Sequence, residues 1–254
     1  MTVQLYAYTC GVMTMPYDML LGGAPGHLTI PVPAYLIVHP KGRVLFDAGM
    51  HVDCQHNAAA HLGAPTLKVF SFDYAPGDEV AARLAATDVA PESIDLVINS
   101  HLHFDHCGGN AQLPNADILL QARELAHARA VAGQGRGYYD SEFDTGQRLR
   151  QIDGEHDVFG DGSVTCLPTY GHTPGHQSLR VRTEQGGAFL LCGDACYLKE
   201  SLERMQVPGR AADPEAMLAV FQRLRSLESQ GIRLMYGHDP AFWQDIPQAP
   251  VRLG

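Results

Sequence analysis

A layered α/β fold is what this chain predicts, on three observations. Apolar runs of strand length alternate with segments of helical periodicity in both halves. No linker divides the 254 residues, so 1–254 read as one domain. Several apolar runs also end directly in a histidine or an aspartate, at the place where a sheet rim holds side chains rigidly.

The elements follow in order. Val3–Tyr8 alternates weakly, and Ala34–Val38 and Arg43–Phe46 flank His39-Pro40-Lys41-Gly42 as a hairpin. Pro76-Gly77-Asp78 opens a helix over Glu79–Ala86, with Val80 and Leu84 four apart. Ile94–Ile98 reads as a buried strand that delivers Ser100-His101. Asp117–Leu120 is a further strand, followed by a helix from Ala122 to Ala132 that stops at Gly133. Residues 133–147 are rich in Gly, Asp and Tyr and read as a long functional loop or flap. Val164–Leu167, Ser178–Thr183 and Ala188–Cys192 are strands, the last two joined at Gln185-Gly186-Gly187. Asp213-Pro214 has the form of an N-cap and a first-turn proline. Met217, Phe221, Leu224 and Leu227 then recur at helical spacing, and Ile232–Tyr236 is the last strand.

Composition excludes several classes. With 45% apolar and 18% charged residues the chain is neither disordered nor fibrous. A net charge of −10 has the wrong sign for a general phosphate-backbone binder, so nucleic acid is not expected as a partner. No run approaches the ~18 apolar residues of a membrane span, so no membrane partner is expected. No Lys or Arg precedes Lys41, so a secretory n-region is missing and a cytoplasmic location is expected. The six cysteines are too sparse for a disulfide scaffold and read as buried free thiols.

Thirteen histidines are the anomaly, and their placement carries the chemistry. The densest cluster is Ser100-His101-Leu102-His103-Phe104-Asp105-His106. In extended backbone His101 and His103 project to one side and can grip one ion. Asp105 and His106 come where the chain turns before Gly108-Gly109 and can face a second ion. Imidazole with carboxylate suits Zn, Fe, Mn or Co. A lone histidine is more often a satisfied core or surface residue, but three with an aspartate in six positions are not explained that way. In Gly171-His172-Thr173-Pro174-Gly175-His176 the expected ligand is His172, with His176 bracing the loop. Asp194 and His238 each follow an apolar strand; alone, Asp194 would read as a turn residue.

In this order, His-x-His-x-Asp-His, the Gly-His-x-Pro-Gly-His loop, a Gly-Asp and a late Gly-His resemble the metallo-β-lactamase superfamily over nearly the whole chain. The resemblance implies a four-layer αβ/βα sandwich, two mixed β-sheets flanked by helices, with two divalent metals at one rim. It implies one metal on His101, His103 and His172 and a second on Asp105, His106 and His238, with Asp194 bridging. Zinc is the first expectation, and iron, manganese or cobalt also suit the set. Asp47, in Asp47-Ala48-Gly49, matches the family's early Asp-x-Gly turn and supports ligands from behind.

Within the superfamily the chain resembles the N-acyl homoserine lactonases, which quench bacterial quorum signals. The carriers are the 100–106 motif, Gly175-His176-Gln177-Ser178-Leu179, Leu28–Leu36 with its two prolines, and Asp194-Ala195-Cys196-Tyr197. The likeness implies that Tyr197 faces the substrate carbonyl and that Phe104 borders the substrate. A metal-bridging hydroxide is then expected to attack the lactone, with Asp105 moving a proton toward the departing ring oxygen. For the acyl chain the candidates are Met13, Met15, Met19, Leu20, Phe70 and Phe72, residue types that elsewhere are usually core. The competing expectation is a glyoxalase II-like thioesterase, or a hydrolase of another lactone or ester. Against the thioesterase stand the sixteen residues after His238 and the lack of a basic cluster there. A monomer or a homodimer is expected.

Overall fold

Two mixed sheets form the frame. The structure, a computed structural model, describes residues 2–254. Its twelve strands are β1 (Gln4–Pro16), β2 (His27–His39), β3 (Gly42–Phe46), β4 (Ser71–Asp73), β5 (Leu96–Ile98), β6 (Asp117–Gln121), β7 (Leu149–Ile152), β8 (His156–Asp157), β9 (Val164–Pro168), β10 (Gln177–Thr183), β11 (Gly187–Leu191) and β12 (Arg233–Met235). Seven of them form one sheet in the order β4-β1-β2-β3-β5-β6-β7, and five form the other in the order β12-β11-β10-β9-β8. The β2–β3 hairpin closes at His39↔Gly42, and β3, β5, β6 and β7 run parallel. In the second sheet β11 pairs parallel with β12 and antiparallel with β10.

The helices are α1 (Cys54–Leu62, interrupted at Asn57), α2 (Val80–Leu84), α3 (Phe104–Cys107), α4 (Ala122–Val131), α5 (Asp140–Phe143), α6 (Lys199–Arg204), α7 (Pro214–Ser229) and α8 (Pro240–Gln244). Strand parity then builds the layers. Leu36, Leu45, Val97, Ile118 and Leu120 pack outward against Val80 and Leu84 of α2, Leu125 and Ala128 of α4, and Phe143 of α5. Their neighbours Tyr35, Ile37, Val44, Phe46, Ile98 and Leu119 face inward and meet Val164, Cys166, Leu179, Val181, Phe189 and Leu191 of the second sheet. The outer face of that sheet, Leu167, Leu190 and Leu234, is covered by Met217, Phe221 and Leu224 of α7. The result is helix, sheet, sheet, helix, as the resemblance implied. With both faces covered, β2 reads as a nearly continuous buried run from Ile30 to Ile37.

Most expected elements are found within two residues of their expected ends. Asp213 caps α7 by accepting a hydrogen bond from the Ala216 N–H, with Pro214 in the first turn. All six cysteines are free and buried. The differences lie where periodicity is weak, and β2, expected from Ala34, already begins at His27. β1 continues past Tyr8 to Pro16 with a register shift between Thr9 and Val12, and α5 interrupts the 133–147 loop. β4, β7, β8, α1, α3, α6 and α8 had no expectation. Among the described residues no helix is long and apolar enough to cross a membrane.

Candidate metal centre and active site

β3, β5, β9, β11 and β12 all end at the same rim, and each hands its next residues to one cluster. After β5 the chain bends through Ser100–His103 and turns into α3. This puts Nε2 of His101 2.9 Å from Nδ1 of His103. The two rings converge as extended backbone predicted, but with different nitrogens. His172, in the loop after β9, brings its Nε2 to 3.1 Å from both of those atoms. Asp194, in the turn after β11, places Oδ2 3.1 Å from His172 Nε2 and 3.6 Å from His101 Nε2. Its other oxygen, Oδ1, lies 3.2 Å from His106 Nε2 and 3.0 Å from Nε2 of His238, which follows β12. Asp105 Oδ2 completes this second group, 3.5 Å from His106 Nε2 and 3.8 Å from His238 Nε2. All seven sequence-expected residues therefore meet, in two groups that share Asp194.

Two glycines make the approach possible. A side chain at Gly237 would collide with the Gly193 carbonyl oxygen, so the Gly-His and Gly-Asp segments touch backbone to backbone. At Gly109 it would collide with the Ala48 carbonyl oxygen, which keeps the 101–109 segment against the Asp47 turn.

Hydrogen bonds behind the rings aim lone pairs inward. A carboxylate or a peptide carbonyl can only accept, so His106 Nδ1–H donates to Asp47 Oδ2 at 2.9 Å. His238 Nδ1–H likewise donates to the Pro31 carbonyl at 2.8 Å. In the neutral rings both Nε2 atoms are then bare of protons and face Asp194. Asp47, at φ 59°, also accepts from the Ser100 N–H and hydroxyl, and that hydroxyl oxygen lies 3.0 Å from His101 Nδ1. His176 bonds to Thr169 and accepts from the Asp194 N–H at 3.0 Å. It braces the loop.

The donor set fits two cations. Burial, with His106 and His103 close by, holds His101 well below the usual imidazole range, and burial takes His103 down to about 4. Burial likewise depresses His172. Neutral imidazole is the ligating form. His106 is raised instead, because Asp194, Asp105 and Asp47 outweigh the cost of burying its charge. Asp194 Oδ1 is buried and has no hydrogen-bond partner. A buried carboxylate oxygen without a hydrogen-bond partner, ringed by imidazole nitrogens, is costly without positive charge beside it. The cluster is built for two metal ions.

Over this floor opens a cavity of about 670 Å³. Met13, Met15, Met19, Val69, Phe70 and Phe104 form an apolar wall, and His103, Asp105, His172, Asp194, Tyr197 and His238 lie at the bottom. Leu20 and Phe72 do not border it. Leu20 is fully buried behind the wall, and Phe72 packs edge-on against Phe104 with ring centroids 5.8 Å apart. Tyr197 stands beside the first group, its hydroxyl 3.0 Å from His172 Nδ1.

Sequence reasoning missed two features. The Pro208–Ala212 segment, with Arg210, helps close the cavity and no local signal marks it, and Arg136 enters the cavity from the Gly135–Tyr138 part of the expected 133–147 flap. Glu124 is fully buried in α4, and its Oε1 accepts from the Leu102 N–H and the Tyr138 hydroxyl. Its Oε2 accepts from the Thr173 hydroxyl and the Gly175 N–H. One carboxylate thus ties both ligand loops to the flap.

Such a rim, on such a sandwich, defines a metal-dependent hydrolase class. The chain belongs to the metallo-beta-lactamase superfamily, whose family model matches residues 29–238. It is 34% identical over 228 residues to the N-acyl homoserine lactonase AttM of Azorhizobium caulinodans, covering 87% of this chain and 86% of that one. To the lactonase AiiA of Bacillus thuringiensis subsp. kurstaki it is 34% identical over 218 residues, 85% of this chain and 84% of that one. Among solved structures it is similar to an N-acyl homoserine lactone hydrolase with the product N-hexanoyl-L-homoserine bound at the catalytic metal center. That match has a TM-score of 0.88 and 30% identity and covers 99% of this chain and 100% of the other.

Proposed function

We propose that this protein opens the lactone ring of N-acyl homoserine lactones, releasing N-acyl homoserines, with residues 1–254 acting as one domain and zinc as the resident metal. The enzyme is a metal-dependent hydrolase. One observation carries the substrate class: two ligand groups sharing Asp194 lie directly beneath an apolar cavity of about 670 Å³. A polar reacting head and a flexible apolar tail fit that division, and the lactonase relatives support it.

His101, His103 and His172 would hold one ion, and Asp105, His106 and His238 the other, with Asp194 between them. Two divalent ions bound there supply Lewis acidity and an activated water. Water adds to the lactone carbonyl carbon, the bond to the ring oxygen breaks, and that oxygen takes a proton. Tyr197 donates a hydrogen bond to the carbonyl oxygen as negative charge develops. With the His172 Nε2 lone pair turned to the cluster, Nδ1–H donates to the Tyr197 oxygen and leaves the phenol proton free. Burial, with Asp194 and Asp105 near, keeps that phenol far above its usual range, so it remains a donor. One such donor contributes roughly 3 kcal/mol to the transition state, about a hundredfold in rate. Asp105 is placed to pass the proton to the departing oxygen. Met19, Phe70 and Phe104 hold the acyl chain.

The test is direct. Purified protein is mixed with hexanoyl homoserine lactone and, separately, with a glutathione thioester, and acid release is followed at constant pH. One equivalent of acid per lactone, with the thioester left intact, is expected. Thioester cleavage with the lactone untouched would reverse the assignment.

A further inference from the structure

A second constellation of ligating side chains lies outside the cavity, around α1: His51 and Asp53 just before it and His61 near its end. His51, Asp53 and His61 bring one ligand atom each within 4.8 Å of one another. Asp53 Oδ2 is 3.6 Å from Nδ1 of His51 and 3.7 Å from Nδ1 of His61. These gaps are too long for hydrogen bonds. They are close to the roughly 3.3–3.6 Å that separates ligand atoms around one tetrahedral ion with ~2.1 Å bonds.

We propose that His51, His61 and Asp53 form a third metal site, separate from the dinuclear centre, for a borderline divalent ion such as zinc. Three features support it. Nδ1 of His51 accepts a hydrogen bond from the Asp53 N–H at 3.2 Å, so this nitrogen carries no proton. Nε2 of His61 lies 2.9 Å from Oε1 of Glu142, whose side chain is fully buried in α5 and whose Oε2 has no partner. An ion at Nδ1 of His61 sets the shared proton on Nε2, and the Glu142 carboxylate then orients the ring from behind, as carboxylates do behind metal-bound histidines. Burial also lowers both imidazoles, and neutral rings are the binding form.

The two rings stack at 4.1 Å and 11°, which aims their lone pairs side by side rather than at one point. Glu142 fixes His61, so His51 is the ring that turns on capture, at the cost of its bond from the Asp53 N–H. This site is weaker than the dinuclear one. Its ion would fasten α1, which leads into the Pro65–Phe70 wall of the cavity, through Glu142 to α5 within the flap.

The test counts ions. Zinc is titrated into the full-length, metal-loaded protein by calorimetry, and ion content is checked after equilibrium dialysis against free zinc. Wild type is expected to take up one more ion than His51→Gln or His61→Gln. The exposed change Asp53→Asn, which does not threaten the fold, is expected to weaken that ion at least tenfold. Glu142→Gln should keep the site but lower its affinity by about 10–100-fold. Equal uptake by wild type and the His51 and His61 variants overturns the site. Because the readout is a difference of one ion, it stands apart from lactone opening, which these variants should retain.

Discussion

The Tyr197 hydroxyl oxygen lies 3.0 Å from Nδ1 of His172, on the opposite edge of that ring from the nitrogen facing Asp194. One imidazole therefore links the proposed oxyanion donor to the metal cradle and holds the phenol at the cavity floor. Replacing Tyr197 with Phe deletes the donor and leaves the ring. Turnover of hexanoyl homoserine lactone should drop by about a hundredfold, with metal content by elemental analysis unchanged. Equal loss of metal and turnover would mean that the hydroxyl serves the cradle and not the reaction.

Glu124 makes a different prediction, because its four donors belong to three segments. Glu124→Gln turns an N–H₂ toward two of those donors and leaves them buried and unpaired. A buried unpaired group costs about 1–3 kcal/mol, so the urea unfolding free energy should fall by about 2–4 kcal/mol. Metal should also dissociate faster, since the 101–106 and 171–176 loops lose their common anchor. Unchanged stability and metal retention would sink the bracing role.

Chelation tests the cradle itself. Stripping the metal leaves Asp105 and Asp194 among buried imidazoles with no cation between them, and ligand binding to the native state is lost from the stability. The melting temperature should fall markedly, lactone opening should cease, and both should return on adding zinc. A melting temperature indifferent to chelator would contradict the design of the site.

On the cavity wall, Phe70 and Phe104 pack edge to face at 5.5 Å. Phe70→Ala removes apolar surface worth about 1.5–3 kcal/mol to a chain that covers it. The kcat/KM for a decanoyl substrate should fall at least tenfold, while a butanoyl substrate, too short to reach the wall, changes little. Parallel losses for both would place Phe70 outside the acyl path.

Much of the site was legible because its signals are local. The candidate ligands His101, His103, Asp105 and His106 fall within six residues, and strand ends announce Asp194 and His238. Phe70 and Met19 border the cavity, whereas Leu20 and Phe72, alike in chemistry and close in sequence, lie buried behind its wall and packed against Phe104 respectively. Side-chain direction there depends on how β4 and the 17–21 turn settle on β1, which no local pattern encodes.

Residue order and type alone determined the alternation of strands and helices, the candidate ligand set and the family, since these rest on periodicity and on spacings of a few residues. Only the tertiary structure decided that Asp194 lies between His172 and His238, through the order of β9, β11 and β12 in one sheet, which nitrogen each ring turns inward, and that Glu124 and Glu142 stand behind the loops. Those contacts join residues dozens to hundreds of positions apart, and their geometry is set by strand order and by the shared core between the sheets.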